Sequence, residues 1–295
     1  MSGADDEMAG LVVRDLTVRI PVGRKAVVHA VTGVELEVAA GTVTALVGES
    51  GCGKSMVGAA VVGLLPPGAM VTGAVLVAGA DVTSAGAGWR GRRVGLVPQS
   101  PATHFTPVRT VGAQLAETVR AVGGRLDCAE LAERADFPVS ALECYPHELS
   151  GGMAQRAAIA AALAGDPAVL VADEPTSGLD RGRTDRTLKL LRRCADDGAA
   201  VLLITHDLAA LERTGVADRM AVMYASHLLE IGPAADVLAD PWHGYTRDLL
   251  AALPTRGLRP LPHPPPELTN LRPDRPYLGH GVLKSQGERM IREEL

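Results

Sequence analysis

The sequence predicts an α/β fold: a mostly parallel β-sheet flanked by helices, with a helical insertion and an antiparallel front edge. Three observations carry this. In the second half of the chain, apolar runs of strand length alternate with amphipathic runs of helix length, as in successive βα units. The first forty-odd residues alternate between apolar and polar in strand fashion. Between these regions the apolar run "VTALV" passes through the glycine-rich "GESGCGKS" straight into "KSMVGAAVVGLL", a strand, a tight turn and a helix in succession.

Taken in order, "LVVRDLTVRI", "AVVHAV" and "VELEVAAG" read as antiparallel strands, the last closed by Gly41. Residues 71–98 read as short strands around "DVTSAGAG". From about 100 to 165 the pattern turns helical, through "VRTVGAQLAETVRAV", "CAELAERA" and "GMAQRAAIAAALAG". "AVLVADE" is then a buried strand, "RGRTDRTLKLLRRCADDG" a helix closed by Gly198, and "AAVLLITHD" a second buried strand with a helix behind it. "DRMAVMYASHLLEIG" supplies two antiparallel strands, and a short helix around "YTRDLLAAL" ends a domain spanning residues 10–255. Residues 256–295, rich in proline at the start, read as an extended linker with a weakly structured end.

Composition narrows the function. The 295 residues suffice for one large domain, and a net charge of −5 provides no basic field for nucleic acid. Aromatic residues make up 3% of the chain, so few base-stacking side chains are available. Cys52, Cys128, Cys144 and Cys194 form no CxxC or Cys/His cluster, which fits a reducing compartment and no structural metal. The start, "MSGADDEMAG", is acidic where a signal peptide would be basic and then apolar. Residues 55–80 hold no charge, yet Pro66, Pro67 and Gly68 divide them into pieces too short to cross a membrane.

Gly48, Gly53, Lys54 and Ser55 fit GxxxxGK[ST], with a strand before and a helix after. In that setting the backbone N–H groups of Gly48, Glu49, Ser50, Gly51, Cys52 and Gly53 surround a phosphate, Lys54 reaches the β- and γ-phosphates, and Ser55 binds Mg²⁺. "AVLVADEP" ends in Asp173, placed to hold Mg²⁺, and Glu174, placed to act as general base. Read alone, that segment is equally a solvated turn. "VLLITHDL" sets His206, and "VGLVPQ" sets Gln99, at the exits of two further strands, where they can sense a γ-phosphate or bind metal-held water. "LSGGMAQR" is a second glycine-rich helix start: Ser150 is a good N-cap, and Gly151 and Gly152 expose backbone N–H groups, but no lysine or carboxylate follows at useful spacing. By itself it is an ordinary capped helix.

The ordered set "GESGCGKS", "VPQ", "LSGGMAQR", "VLVADEP", "SGLD" and "THD" resembles the ATP-binding cassette (ABC) ATPases over about residues 10–255. That resemblance implies a P-loop NTPase core with an antiparallel β subdomain and a helical signature subdomain, and ATP with Mg²⁺ as cofactors. It also implies a head-to-tail dimer in which each signature closes over the partner's ATP. Ser150 and Gly152 would then contact the partner's γ-phosphate, Asp180 would lie at the dimer interface, and Gln99, a candidate at the metal beside Ser55 and Asp173, would couple to the helical insertion that meets the membrane protein. The signature's usual glutamine is Met153 here, and the adenine-stacking aromatic expected on the early strand is replaced by Ile20.

More narrowly, "YPHELSGGMAQR", "TPVRTVGAQLAE" and "PWHGYTRDLLAALP" resemble the ATPases of oligopeptide, dipeptide and nickel importers. "HGY" stands where that subfamily often has His-Pro-Tyr, and no cysteine follows Cys194. The implied partners are a second ATPase subunit, two transmembrane permease subunits and, indirectly, an extracytoplasmic solute-binding protein, with no nucleic acid. The implied place is the cytoplasmic face of the membrane. A rival reading, a soluble cassette ATPase acting on DNA or ribosomes, predicts long coiled coils or a second cassette, and neither pattern is present.

Overall fold

The computed structural model describes residues 9–83, 87–101, 104–271, 277–278 and 283–292. The acidic segment 1–8 and residues 84–86 of "DVTSAGAG" lie outside them.

A central sheet of eight strands is built on β3 (Val43–Val47), β6 (Val94–Val97), β7 (Val169–Asp173), β8 (Ala200–Thr205) and β9 (Arg219–Tyr224), which lie parallel in the order β9-β3-β8-β7-β6. Strand β10 (His227–Pro233) adds antiparallel to β9. The parallel strands are nearly continuous apolar runs because both of their faces are buried. Alternate side chains go to different cores. Val43, Ala45, Val47, Val201 and Leu203 pack on one face with the helices of the insertion, whereas Leu46, Leu202 and Ile204 pack on the other. That second face is covered by α1 (Lys54–Val61) and by a four-stranded antiparallel sheet of β1 (Ala9–Val22), β2 (Ala26–Ala39), β4 (Met70–Val77) and β5 (Ala80–Asp81).

The helical insertion contains α2 (Val111–Val122), capped by Thr110 and ended by Gly123 in a left-handed turn, and α3 (Cys128–Arg134), opened by a capping box of Asp127 and Glu130. Two 3₁₀ turns lead to α4 (Gly151–Ala162), capped by Ser150. Buried alanines at 154, 157, 158 and 160 let α4 approach the core closely. Beyond β7, α5 (Arg181–Asp196) ends just before Gly198, as its sequence predicts. Then come α6 (Leu208–Thr214), α7 (Ala234–Ala239) and α8 (Gly244–Ala251). The charge-free stretch resolves into α1 and β4. No helix among the described residues is long and apolar enough to cross a membrane.

Two expectations need correction. "AVVHAV" and "VELEVAAG" form one strand, β2, paired along β1. A bulge with Asp15 and Gly33 at positive φ, where the Gly33 N–H donates to Thr17 Oγ1 at 3.0 Å, shifts the phase of the alternation and makes one strand read as two. The tail's end is also structured. β11 (Leu283–Gln286) and β12 (Arg289–Arg292) form a hairpin turning at Gly287, and β12 adds to β10, so that these two strands complete the eight-stranded sheet. Upstream, the backbone at Leu268 and Asn270 pairs with β2 at His29 and Val27. What orders the hairpin is long-range: Arg289, 6% exposed, pairs with fully buried Glu230 of β10 and lies over the Trp242 ring at 3.8 Å. Proline content carries no trace of that contact.

Candidate functional site

The C-terminal ends of the parallel strands share one edge, and the residues singled out in the sequence converge there because parallel pairing aligns strand ends: Val47 lies opposite Thr205, Asp173 opposite Ile204, and Val97 opposite Ala172.

From β3 the chain enters the glycine loop. Gly48 (φ 149°) and Gly53 (φ 111°) hold backbone conformations that favour glycine, and both are tightly enclosed. A β-carbon at Gly48 would lie 2.1 Å from the Met223 carbonyl oxygen, and one at Gly53 would lie 2.1 Å from that of Ala30. The loop rests on the turn between β9 and β10, where the Ser226 N–H donates to the Cys52 carbonyl at 2.9 Å. Lys54, 5% exposed, donates from Nζ to the carbonyls of Gly48 and Glu49, each at 2.8 Å. The ammonium is thus held inside its own loop, over the start of α1, where free N–H groups and the helix dipole favour an anion.

Beside the loop, the exposed Ser55 hydroxyl donates to Asp173 Oδ1 at 3.1 Å. Partial burial raises the Asp173 carboxyl above the usual carboxylate range, against the opposing pull of the Ser55 hydrogen bond. Glu174 is buried at φ 46° in the left-handed region, its N–H donating to the Ile204 carbonyl at 2.9 Å. Its Oε2 lies 2.8 Å from Nδ1 of the exposed His206. Gln99 is exposed, two residues past the end of β6.

The remaining candidates gather at the starts of α4 and α5. Ser150 caps α4 by accepting from the Met153 N–H at 3.3 Å, and Asp180 caps α5 by accepting from the Arg183 N–H at 3.0 Å. A cavity of about 240 Å³ between the helices is lined by Ser150, Gly152, Arg156, Arg183 and Arg186 among others. A β-carbon at Gly151 would touch nothing within 4 Å among the described residues. Ile20 is half-buried on β1, opposite Val28.

One site contact escapes sequence reasoning. Tyr245 of α8, fully buried, lies under the glycine loop with its hydroxyl 3.2 Å from Glu49 Oε2 and 3.3 Å from the Glu49 amide nitrogen. The segment "PWHGYTRDLL" stands out in the sequence, but nothing local says that its tyrosine meets a loop 196 positions earlier.

A parallel sheet whose strand ends gather a lysine-bearing glycine loop, a Ser–Asp pair and a Glu–His pair defines a phosphate-loop nucleotide-binding protein. Residues 31–177 match the ABC transporter family. The chain is 40% identical to a probable peptide ABC transporter ATP-binding protein of Sinorhizobium fredii, over 83% of this chain and 76% of that one. It is 37% identical to a probable D,D-dipeptide transport ATP-binding protein of Escherichia coli, over 83% and 80%. It is 36% identical to an oligopeptide transport ATP-binding protein of Streptococcus pneumoniae, over 90% and 79%. The fold is also that of the dimeric cassette MJ0796 solved with ADP and Pi, with a TM-score of 0.65 at 22% identity, covering 76% of this chain and 98% of that one. The chain belongs to the ATP-binding cassette family of ABC transporters, and it is an ATP-binding ATPase of that type.

Proposed function

We propose that this protein is the ATP-hydrolysing subunit that powers an ABC importer for peptides. It would work at the cytoplasmic face of the membrane as a head-to-tail pair with a second cassette, against two permease subunits supplied by a solute-binding protein. The observation that carries the reading is the gathering of Lys54, Ser55, Asp173, Glu174 and His206 on one sheet edge, together with an outward-facing glycine helix start at 150–152. Nickel is the second substrate compatible with the subfamily resemblance. The relatives named above are peptide and dipeptide transport proteins, which favours peptide over nickel and an importer over a soluble cassette.

In this reading the N–H groups from Gly48 to Gly53 and the Lys54 ammonium bind the triphosphate. Ser55 and Asp173 present adjacent hard oxygen donors, a set that suits Mg²⁺, with Gln99 as a further oxygen donor. Bound there, Mg²⁺ would neutralise phosphate charge. Glu174 orients the attacking water and takes its proton on a carboxylate oxygen, and His206, whose Nδ1 lies 2.8 Å from Oε2, holds that carboxylate in place and would sense the γ-phosphate. Ser150, Gly151 and Gly152 would complete the partner's site, and Asp180 would meet the partner across the interface.

The test is uptake of a short peptide and of nickel in cells carrying the wild-type chain or Lys54→Ala. Loss of peptide uptake alone supports the proposal. Loss of nickel uptake alone reassigns the substrate, and no effect on either refutes the importer reading.

A further inference from the structure

The phosphate loop carries a charge that its proposed ligand should reject. Glu49 is the second residue of a loop meant to hold a triphosphate, and a carboxylate free to swing into that cradle would repel the phosphates. The structure shows what restrains it. The buried phenol of Tyr245, kept protonated by burial and by its carboxylate neighbour, donates to Glu49 Oε2 at 3.2 Å and accepts from the Glu49 N–H at 3.3 Å. One hydroxyl thus grips both the side chain and the backbone of the same loop residue.

Tyr245 is itself firmly held. Its ring packs on Tyr224, at the end of the strand that floors the loop, with centroids 4.6 Å apart, and Tyr277 lies edge-on to both. The start of α8 is fixed by buried Glu230, which accepts the N–H groups of Trp242 (2.9 Å) and His243 (3.0 Å) while pairing with Arg289 of the C-terminal hairpin. His243 in turn caps the helix by accepting from the Tyr245 N–H at 3.1 Å. Such an anchored phenol loses little freedom by holding Glu49.

We propose that Tyr245 is a positioning residue for the nucleotide, holding the Glu49 carboxylate against α8 and out of the phosphate cradle. The inference rests on the reading of residues 48–55 as the ATP-binding loop.

The experiment measures MgATP affinity by fluorescent-nucleotide titration, together with kcat, KM and melting temperature, on the full chain. Tyr245→Phe keeps the ring and removes the hydroxyl. It should weaken affinity about five- to tenfold, with KM rising more than kcat falls and the melting temperature nearly unchanged. The same substitution made in a Glu49→Gln background should change affinity less than about twofold, since no carboxylate remains to be restrained. An equal loss in both backgrounds, or no loss in either, overturns the proposal. Lys54→Ala separates the two levels. If Lys54→Ala binds MgATP normally, the reading of the loop itself fails. If it loses binding while Tyr245→Phe does not, only the role of Tyr245 falls.

Discussion

The chain has two glycine-rich helix starts, and they differ in what makes them glycine-rich. In the phosphate loop the requirement is internal. At Gly48 and Gly53 both φ and the 2.1 Å approaches of backbone oxygens exclude a side chain, so the loop's shape is dictated by β9, β2 and the turn beneath it. At Gly151 nothing among the described residues forbids a β-carbon, and at Gly152 the nearest such atom is in the flexible Arg183 side chain at 3.5 Å. A helix interior favours alanine over glycine by about 1 kcal/mol. Two glycines that the fold does not need, at an exposed, serine-capped helix start, are therefore best explained by close approach of something outside the chain. On the function proposed above, the first loop would be a site the subunit builds for itself, and the second would be half of a site completed by a partner.

The largest test of that division concerns which locus runs the chemistry. Glu174→Gln should lower ATP hydrolysis by about 10²–10⁴-fold while leaving ATP bound and the paired form trapped, as read by phosphate release and gel filtration with ATP. Normal turnover by this variant would remove Glu174 from the role of base. Next, Gly48→Ala should cost the subunit at least about tenfold in its own ATP affinity, because the loop must shift off the Met223 carbonyl. Gly151→Ala should do the reverse, leaving ATP affinity intact and slightly raising thermal stability while cutting hydrolysis about tenfold in the pair. Full hydrolysis by Gly151→Ala would erase the distinction. The smallest effect concerns Asp173. Burial raises its carboxyl pKa in the folded state, so the folded form binds more protons than the unfolded chain between the two pKa values, and stability falls as pH rises through that window. Asp173→Asn, which keeps an acceptor for Ser55, should therefore raise the melting temperature modestly at pH 7. The gain should vanish in acid.

Most of the architecture was legible because it rests on local pattern. Buried parallel strands read as "VTALV" and "AVLLIT", and helices read as "GMAQRAAIAAALAG" behind the Ser150 cap and as "RGRTDRTLKLLRRCADDG" closed by Gly198. The outline of the candidate site follows for a related reason: parallel pairing brings strand ends together, so residues at or beyond the ends of successive strands meet, Ser55 with Asp173 and Glu174 with His206. What escaped depends on contacts with no periodic signature. The bulge at Asp15 and Gly33 turned one strand into two apparent ones. The tail's strands are held by pairing with β10 and by the buried ion pair of Arg289 with Glu230, and Tyr245 reaches Glu49 from a helix whose approach that same Glu230 fixes through the Trp242 and His243 N–H groups.

The hairpin of β11 and β12 has a further consequence, for solubility. Strand β10, "HLLEIGP", is almost wholly buried, and β12 covers the side of it that faces away from β9. Stripped of the hairpin, β10 would present an apolar strand with open backbone groups, a template for pairing with other chains. With the hairpin in place, the outermost strand of the sheet is the short "LKSQ", largely exposed and carrying Lys284, the kind of edge that discourages such pairing. A chain cut before residue 283 should accordingly fail first by self-association.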